Sequence, residues 1–325
     1  MPAEGFFLEN AAIYALNPWH VLRFRKKVGY FPNIAFPTTY LEKVAWRKLF
    51  DRNPLFHQFC DKLATKDYIG RLAPDLPVAK TLWTGDRLTR EAWDLLGEDT
   101  VLKSNHGSNR NFFPGKEKLS FAELEARTTR WMRTTYGRKS AENAYRGARK
   151  MLFVEERLKS PDTPLVDIGV RAANGSSISV WYYIYNKTPA QKIGYFTPEG
   201  ERIRAFDALV KPHEVLDAKD ERREPILKCV EWAKRLSKGV DYARFDFLVA
   251  GEAIYGGEIT LYSMAGLSNE RSPAEKAYGA LLSSGWDLRQ SHFFRDRHGL
   301  LLERYRSRLL ENLDRAAAAG DAALL

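Results

Sequence analysis

Tyr242-Ala-Arg-Phe-Asp-Phe-Leu-Val-Ala-Gly-Glu-Ala-Ile-Tyr-Gly-Gly-Glu-Ile-Thr-Leu-Tyr262 reads as a β-hairpin. Phe245, Phe247 and Val249 alternate with other residues, the period of a strand with one buried face. Ala250-Gly251-Glu252 supplies a turn, and β-formers resume at Ile254, Ile259 and Leu261. Pairing about a centre near Glu252 sets Asp246 opposite Glu258, both on the face that the Phe side chains leave free. Like charges directly across a ladder repel, and a bound cation would remove that penalty. Mg²⁺ is the natural candidate, because one or two carboxylates plus nucleotide phosphates usually hold it. The competing reading puts both carboxylates in water on an outer strand.

The rest of the chain is ordinary in bulk and basic in charge. Its 325 residues exceed the usual single-domain size, so two or three subdomains are expected. Hydrophobic residues at 44% and charged residues at 28% suit a globular protein. The formal net charge of +10 favours anionic partners. Lys and Arg are spread along the whole length, with no basic tail, zinc-knuckle spacing or RNA-recognition signature, so nucleic acid is not expected. Only Cys60 and Cys229 are present, which argues against a disulfide framework or a zinc site. The first ten residues lack a signal-peptide pattern, and no apolar run approaches the ~20 residues that cross a bilayer. A cytoplasmic location is expected.

Outward from the hairpin, the chain alternates helices with short strands. The segment Trp19-His-Val-Leu-Arg-Phe-Arg-Lys-Lys27 is apolar and basic, and two readings stand: a membrane-surface helix, or a packed helix with a solvated basic face. From Thr38, apolar residues at spacings of three and four predict a helix that Asp51-Arg-Asn-Pro54 breaks. A second helix from Leu55 carries Asp61-Lys62, with Lys66 four residues on and on the same face. Thr100–Asn109 predicts a strand bearing Lys103, then a small-polar loop. There His106, Gly107 and Ser108 either approach a phosphate through backbone N–H groups or form a plain turn. Residues 121–150 read as helical. Met151–Val154 is a buried strand running into Glu155-Glu156, either a nucleotide hinge or a strand reaching solvent. Asn174-Gly175 marks a second hairpin, 167–170 with 178–185. Residues 186–222 read as a loop-rich excursion, 226–236 as an amphipathic helix, and 273–280 and 298–318 as further helices. The Ala-rich end, 316–325, reads as frayed.

Taken in order, several runs resemble the ATP-grasp superfamily, and specifically its TupA-like branch. They are Leu41-Glu-Lys43, Lys48-Leu-Phe-Asp-Arg-Asn-Pro-Leu55, Asp61-Lys62, Val101-Leu-Lys-Ser-Asn-His-Gly-Ser108, Phe153-Val-Glu-Glu-Arg-Leu158, Arg244-Phe-Asp-Phe247 and Gly257-Glu-Ile-Thr260. The resemblance implies an α+β ATP-grasp fold holding ATP between two α+β subdomains. It suggests a helical extension at 1–50, an N-terminal subdomain at 51–98, a lid at 99–155, a metal-bearing subdomain at 156–290 and a C-terminal helix at 291–325. Lys62 and Lys103 would contact ATP phosphates under the loop bearing His106, Gly107 and Ser108. Glu155, Glu156 and Leu158 would form the adenine–ribose hinge. Asp246, Glu258 and Thr260 would hold Mg²⁺, and Arg244 would steady the transferring phosphoryl group. Three departures stand out. Thr260 replaces the usual Asn, and Gly169 stands where the branch commonly has Lys, leaving Arg171 as the candidate replacement cation. The loop's customary second glycine is Asn109.

The implied activity is Mg²⁺- and ATP-dependent carboxylate–amine ligation through an acyl phosphate. It would act on an acidic sugar or amino acid, or a glycan carboxylate, and an amine, in cell-surface polymer synthesis. Two alternatives stay open: a kinase acting on a glycan hydroxyl, and a non-catalytic scaffold favoured by the altered strand at 167–171.

Overall fold

A computed structural model describes residues 6–160 and 162–318. The expected frayed end beyond residue 318 lies outside them. In chain order, α1 (Phe7–Leu16), α2 (Pro18–Val28) and α3 (Tyr40–Phe50) precede α4 (Leu55–Cys60) and α5 (Lys62–Leu72). Then come β1 (Thr81–Gly85), α6 (Arg90–Asp94), β2 (Thr100–Ser104), β3 (Asn111–Phe112), α7 (Phe121–Arg133) and β4 (Leu152–Glu156). The third part holds β5 (Val166–Ala173), β6 (Ser176–Ile184), β7 (Lys192–Phe196), α8 (Arg223–Leu236), β8 (Ala243–Ala250) and β9 (Ala253–Thr260). Helices α9 (Pro273–Ser284) and α10 (Leu300–Ala318) close the chain.

The strands form two antiparallel sheets, ordered β1-β4-β2-β3 and β7-β6-β5-β8-β9. The smaller sheet shares a core with α6 and α7 through Leu88, Ala92, Leu102, Leu124 and Val154. The larger sheet packs on α8, which turns Ile226, Cys229, Val230 and Ala233 inward, spaced three and four apart. The architecture is α+β, as expected.

Both hairpins follow their turn residues and then depart by one. Asn174 and Gly175 each take positive φ, 42° and 88°, the requirement of a two-residue turn that matches strand twist. Ala173 faces Ser176, but a bulge beyond Ala172 moves Gly169 opposite Trp181. In the other hairpin Ala250 faces Ala253, and a bulge between Phe245 and Phe247 shifts the ladder so that Arg244 faces Thr260 and Phe245 faces Ile259. The bulge leaves Asp246 facing the Gly257-Glu258 pair with no single partner on β9, where a regular ladder about Glu252 predicts Glu258 alone.

Several expectations need correction. Helix α7 stops at Arg133, with extended Thr134 as its cap, and left-handed Gly137 (φ 76°) precedes short 3₁₀ turns. The 186–222 excursion contributes β7, an edge strand paired with β6. Asp61 does not lie inside a helix. It ends α4 and starts α5, accepting from the Ala64 N–H at 2.8 Å. The run Asp51-Arg-Asn-Pro54 is a joint: Asn53 Oδ1 accepts from Leu55 N–H at 3.0 Å, and Arg52 donates to the Leu49 and Lys48 carbonyls that end α3.

Helix α3 is buried along most of its length, including two lysines. Lys43 donates to the Ser283 and Trp286 carbonyls, both at 2.8 Å, and Lys48 to that of Ala265. Burial pulls these ammonium groups down to about 7 and about 8. An unfolded lysine keeps its proton until about pH 10.4. The unfolded chain therefore binds more protons across pH 7–10, so stability rises with pH through that window. Melting curves should give a higher Tm at pH 9 than at pH 7, and Lys43→Met should flatten the rise.

Candidate active site

The loop after β2 sets the site's geometry. Asn105 is fully buried. Its carbonyl accepts from Lys62 N–H at 3.2 Å, its Oδ1 from Leu63 N–H at 2.9 Å, and its Nδ2 donates to the Arg149 carbonyl at 3.0 Å. Arg149 in turn clamps Asp61 through Nε and Nη2, at 2.7 and 2.9 Å. The first turn of α5 is thus tied to the small sheet, and Lys62 is aimed at the large one, where it pairs with Glu258 on β9.

On the small sheet, Lys103 Nζ lies 2.5 Å from Glu155 Oε1. Lys66 Nζ lies 2.6 Å from Glu155 Oε2 and also donates to the Ala79 carbonyl. Burial alone would raise the Glu155 carboxyl, but Lys103 and Lys66 overcome it and hold it below the usual carboxylate range. On the large sheet, Arg244 grips Asp246 with Nε and Nη2 at 2.6 and 2.7 Å, while Thr260 Oγ1 donates to Asp246 Oδ2 at 3.2 Å. Burial would likewise raise Glu258, yet Lys62, helped by Lys103 and Arg244, brings it down to about 2. Glu258 is ringed by protein but stands in an open cleft, its side chain 54% accessible to water. That access governs screening, so its ion pair contributes little to stability.

These contacts correct the charge argument made from the hairpin. Asp246 is paired with Arg244 and Glu258 with Lys62, so neither carboxylate by itself requires a metal. The donor chemistry nevertheless fits Mg²⁺: carboxylates from Asp246 and Glu258 and a hydroxyl from Thr260 are hard oxygens, with lone pairs left over. No group of three or more His, Cys, Asp or Glu side chains among the described residues could hold a metal unaided.

Other candidates are placed differently. The His106 imidazole is buried, hydrogen-bonded to Ser104 Oγ at 3.1 Å and beside Arg110 Nη1 at 2.9 Å. Burial and Arg110 lower its pKa. It braces the loop and does not face the cleft. Gly107 (φ 85°) has no room for a Cβ, which would stand 2.6 Å from the Tyr136 ring. Ser108 is exposed, and Asn109 takes the left-handed conformation (φ 58°) that Asn tolerates. Glu155 and Glu156 alternate on β4, so only one of their side chains enters the cleft. Glu156 instead accepts from Lys80 N–H at 2.8 Å. Leu158 follows the strand, half-buried.

Gly169 lies opposite Asp246. A Cβ there would come within 2.1 Å of the Trp181 indole, over which the Arg244 guanidinium stacks at 5.2 Å. The volume a lysine side chain would need at 169 is filled by Trp181. Arg171 faces Arg244 across β5 and β8. It is 8% exposed, lies 5.1 Å from the Tyr278 ring centre, and its Nε and Nη1 are buried without an acceptor. Residues outside the predicted site also join it: Lys66, Asp167, Trp181 and Tyr278. Asp167 shares the strand face of Gly169, and burial, with the nearby Asp246 charge, raises its carboxyl. Only Lys66 carried a local signal, its four-residue spacing from Lys62.

The family model described as TupA-like ATPgrasp matches residues 42–282. The chain is a TupA-like ATP-grasp protein. Among solved structures, this ATP-grasp chain is similar to D-alanine–D-alanine ligase from Bacillus anthracis complexed with ATP, at 16% identity. That likeness covers 83% of this chain and 72% of the ligase, with a TM-score of 0.40. It is similar also to the ATP-grasp ligase PsnB complexed with minimal precursor: 15% identity, 70% and 62% covered, TM-score 0.34. An L-amino acid ligase from Bacillus licheniformis gives 17% identity, 70% and 44% covered, TM-score 0.33. The chain thus spans 62% of the PsnB length, and no residue role is taken from these likenesses. No curated protein matches. No helix among the described residues of this ATP-grasp protein is long and apolar enough to cross a membrane.

Proposed function

We propose that this chain is an ATP-dependent carboxylate–amine ligase acting on an acidic sugar or amino acid in cell-surface polymer synthesis. The observation that carries the reading is the clustering of Lys62, Lys66, Lys103 and Arg244 around Glu155, Asp246 and Glu258, four cations to three carboxylates, with Arg171 facing Arg244 on the neighbouring strand. Such a field suits a triphosphate and a second anion. Lys62 and Lys103 bind phosphate oxygens, with Glu155 and Lys66 fixing the Lys103 ammonium. The acceptor carboxylate oxygen attacks the γ-phosphorus, ADP leaves, and an acyl phosphate forms. The amine then attacks the acyl carbon, giving up a proton, and inorganic phosphate departs. Arg244, held by Asp246 and stacked on Trp181, is preorganised to stabilise the equatorial oxygens during transfer. Asp246, Glu258 and Thr260 would hold Mg²⁺, which when bound neutralises charge between the β- and γ-phosphates.

Trp181 over Gly169 favours a second reading, a non-catalytic scaffold, because the usual lysine cannot be accommodated. One experiment separates the readings: ADP release across a matrix of carboxylic acids and amines. Release that requires both, with amide and phosphate formed in equal amounts, supports the ligase. A phosphorylated product that persists in excess amine overturns it in favour of a kinase. Thermal stabilisation by ATP with no turnover on any pair overturns it in favour of the scaffold.

A further inference from the structure

Helix α1 is inside out. Phe7, Leu8, Ala11, Ala12, Ala15 and Leu16 are all exposed, while its polar residues turn toward the protein. Asn10 Nδ2 donates to Asn33 Oδ1 at 2.6 Å, the Tyr14 hydroxyl donates to the Pro32 carbonyl at 2.7 Å, and Glu9 pairs with Arg308. Ile13 is its only buried residue. A surface helix ordinarily does the opposite, sending its apolar stripe to the core. Phe7 is 76% exposed and Leu16 81%, and α2 continues the stripe with Trp19, 84% exposed, and Leu22. Helix α2 is anchored separately by Val21, Phe24 and Val28, so Trp19 and Leu22 are not needed for packing.

The charge that α2 itself carries has one sign. Arg23, Arg25, Lys26 and Lys27 are exposed on α2. No Asp or Glu occurs between Glu9 and Glu42, and Glu9 is turned inward to Arg308. Apolar side chains led by a tryptophan, next to cations on a segment that itself carries no acid after Glu9, form the chemistry that lies in the headgroup region of an anionic bilayer. A second protein copy would meet the same basic residues and be repelled by them.

We propose that α1 and α2 dock this protein peripherally onto an anionic lipid surface. The apolar stripe enters the acyl boundary, and Lys26 and Lys27 meet phosphate headgroups. The inference is independent of the ATP chemistry. The full chain, tested by co-sedimentation with phosphatidylcholine–phosphatidylglycerol vesicles, should bind. Binding should fall at least about tenfold on pure phosphatidylcholine, in high salt, or in Leu16→Glu/Trp19→Glu. The double variant should keep the wild-type Tm, since both side chains are exposed. Failure to sediment with anionic vesicles overturns the proposal, as does binding that survives the double substitution. A lipid-free dimer that Leu16→Glu dissociates overturns it as well, by assigning the patch to a second copy.

Discussion

Asp246→Asn should lower ADP release by about 10³-fold, the upper end of what one preorganised electrostatic group contributes. The substitution keeps volume and one acceptor oxygen but removes the charge that organises three neighbours. Arg244 loses the bidentate grip measured at 2.6 and 2.7 Å, so its guanidinium is no longer fixed where phosphoryl charge develops. Thr260 loses its charged acceptor. Under the ligase reading the proposed Mg²⁺ donor set would fall from two carboxylates to one, so the Mg²⁺ concentration for half-maximal rate should rise at least about tenfold. There is a structural cost too, because Arg244 and Arg171 then face each other with no anion between them. Side-chain exposures of 22% for Arg244 and 20% for Asp246 put that loss at about 2 kcal/mol, below the 3–5 of a fully buried pair. The two effects separate experimentally. At saturating Mg²⁺ and a temperature well below the variant's Tm, a rate within threefold of wild type would remove Asp246 from the chemistry.

The parts of the site legible in the sequence are those fixed by local rules. Strand alternation placed Asp246 and Arg244 on one face, the turn around Gly251-Glu252 brought the strand of Glu258 alongside, and helical spacing grouped Lys62 with Lys66. Even the bulge opposite Asp246 lies where a Gly-Gly pair weakens the ladder, at Gly256-Gly257. What escaped depends on contacts between distant segments. Glu155 meets Lys66 across 89 residues of chain, and nothing in Phe153–Leu158 alone shows that this carboxylate pairs with two lysines. Trp181 covers Gly169 only because a one-residue bulge displaces Val180, and no composition signal marks that bulge. Tyr278 comes from α9, and its sequence surroundings, Lys276-Ala-Tyr-Gly279, read as ordinary amphipathic helix. The His106 imidazole is hydrogen-bonded within its own loop beside Ser104 and Arg110, which leaves the backbone N–H groups as what that motif offers a phosphate.

Arg171→Met should move stability and substrate binding in opposite directions. A guanidinium 8% exposed, with Nε and Nη1 lacking acceptors, bears a desolvation penalty of several kcal/mol. The Tyr278 face at 5.1 Å returns about 2 kcal/mol of that, and the facing Arg244 adds repulsion, because the Asp246 charge is paired with Arg244 and not with Arg171. Replacement by an apolar side chain of similar length should therefore stabilise the protein by roughly 2 kcal/mol and raise its Tm by several degrees. Under the ligase reading, the missing counter-charge is the acceptor's carboxylate. The KM for that acid should then rise about 100-fold, the loss of one charge-assisted bidentate contact, while the KM for ATP stays within twofold. Arg171→Lys should recover charge but not the planar fork, and so restore only part of the affinity. A variant that melts lower than wild type would mean Arg171 is a packing element with no vacancy to fill. Equal changes in both KM values would place it with the phosphates.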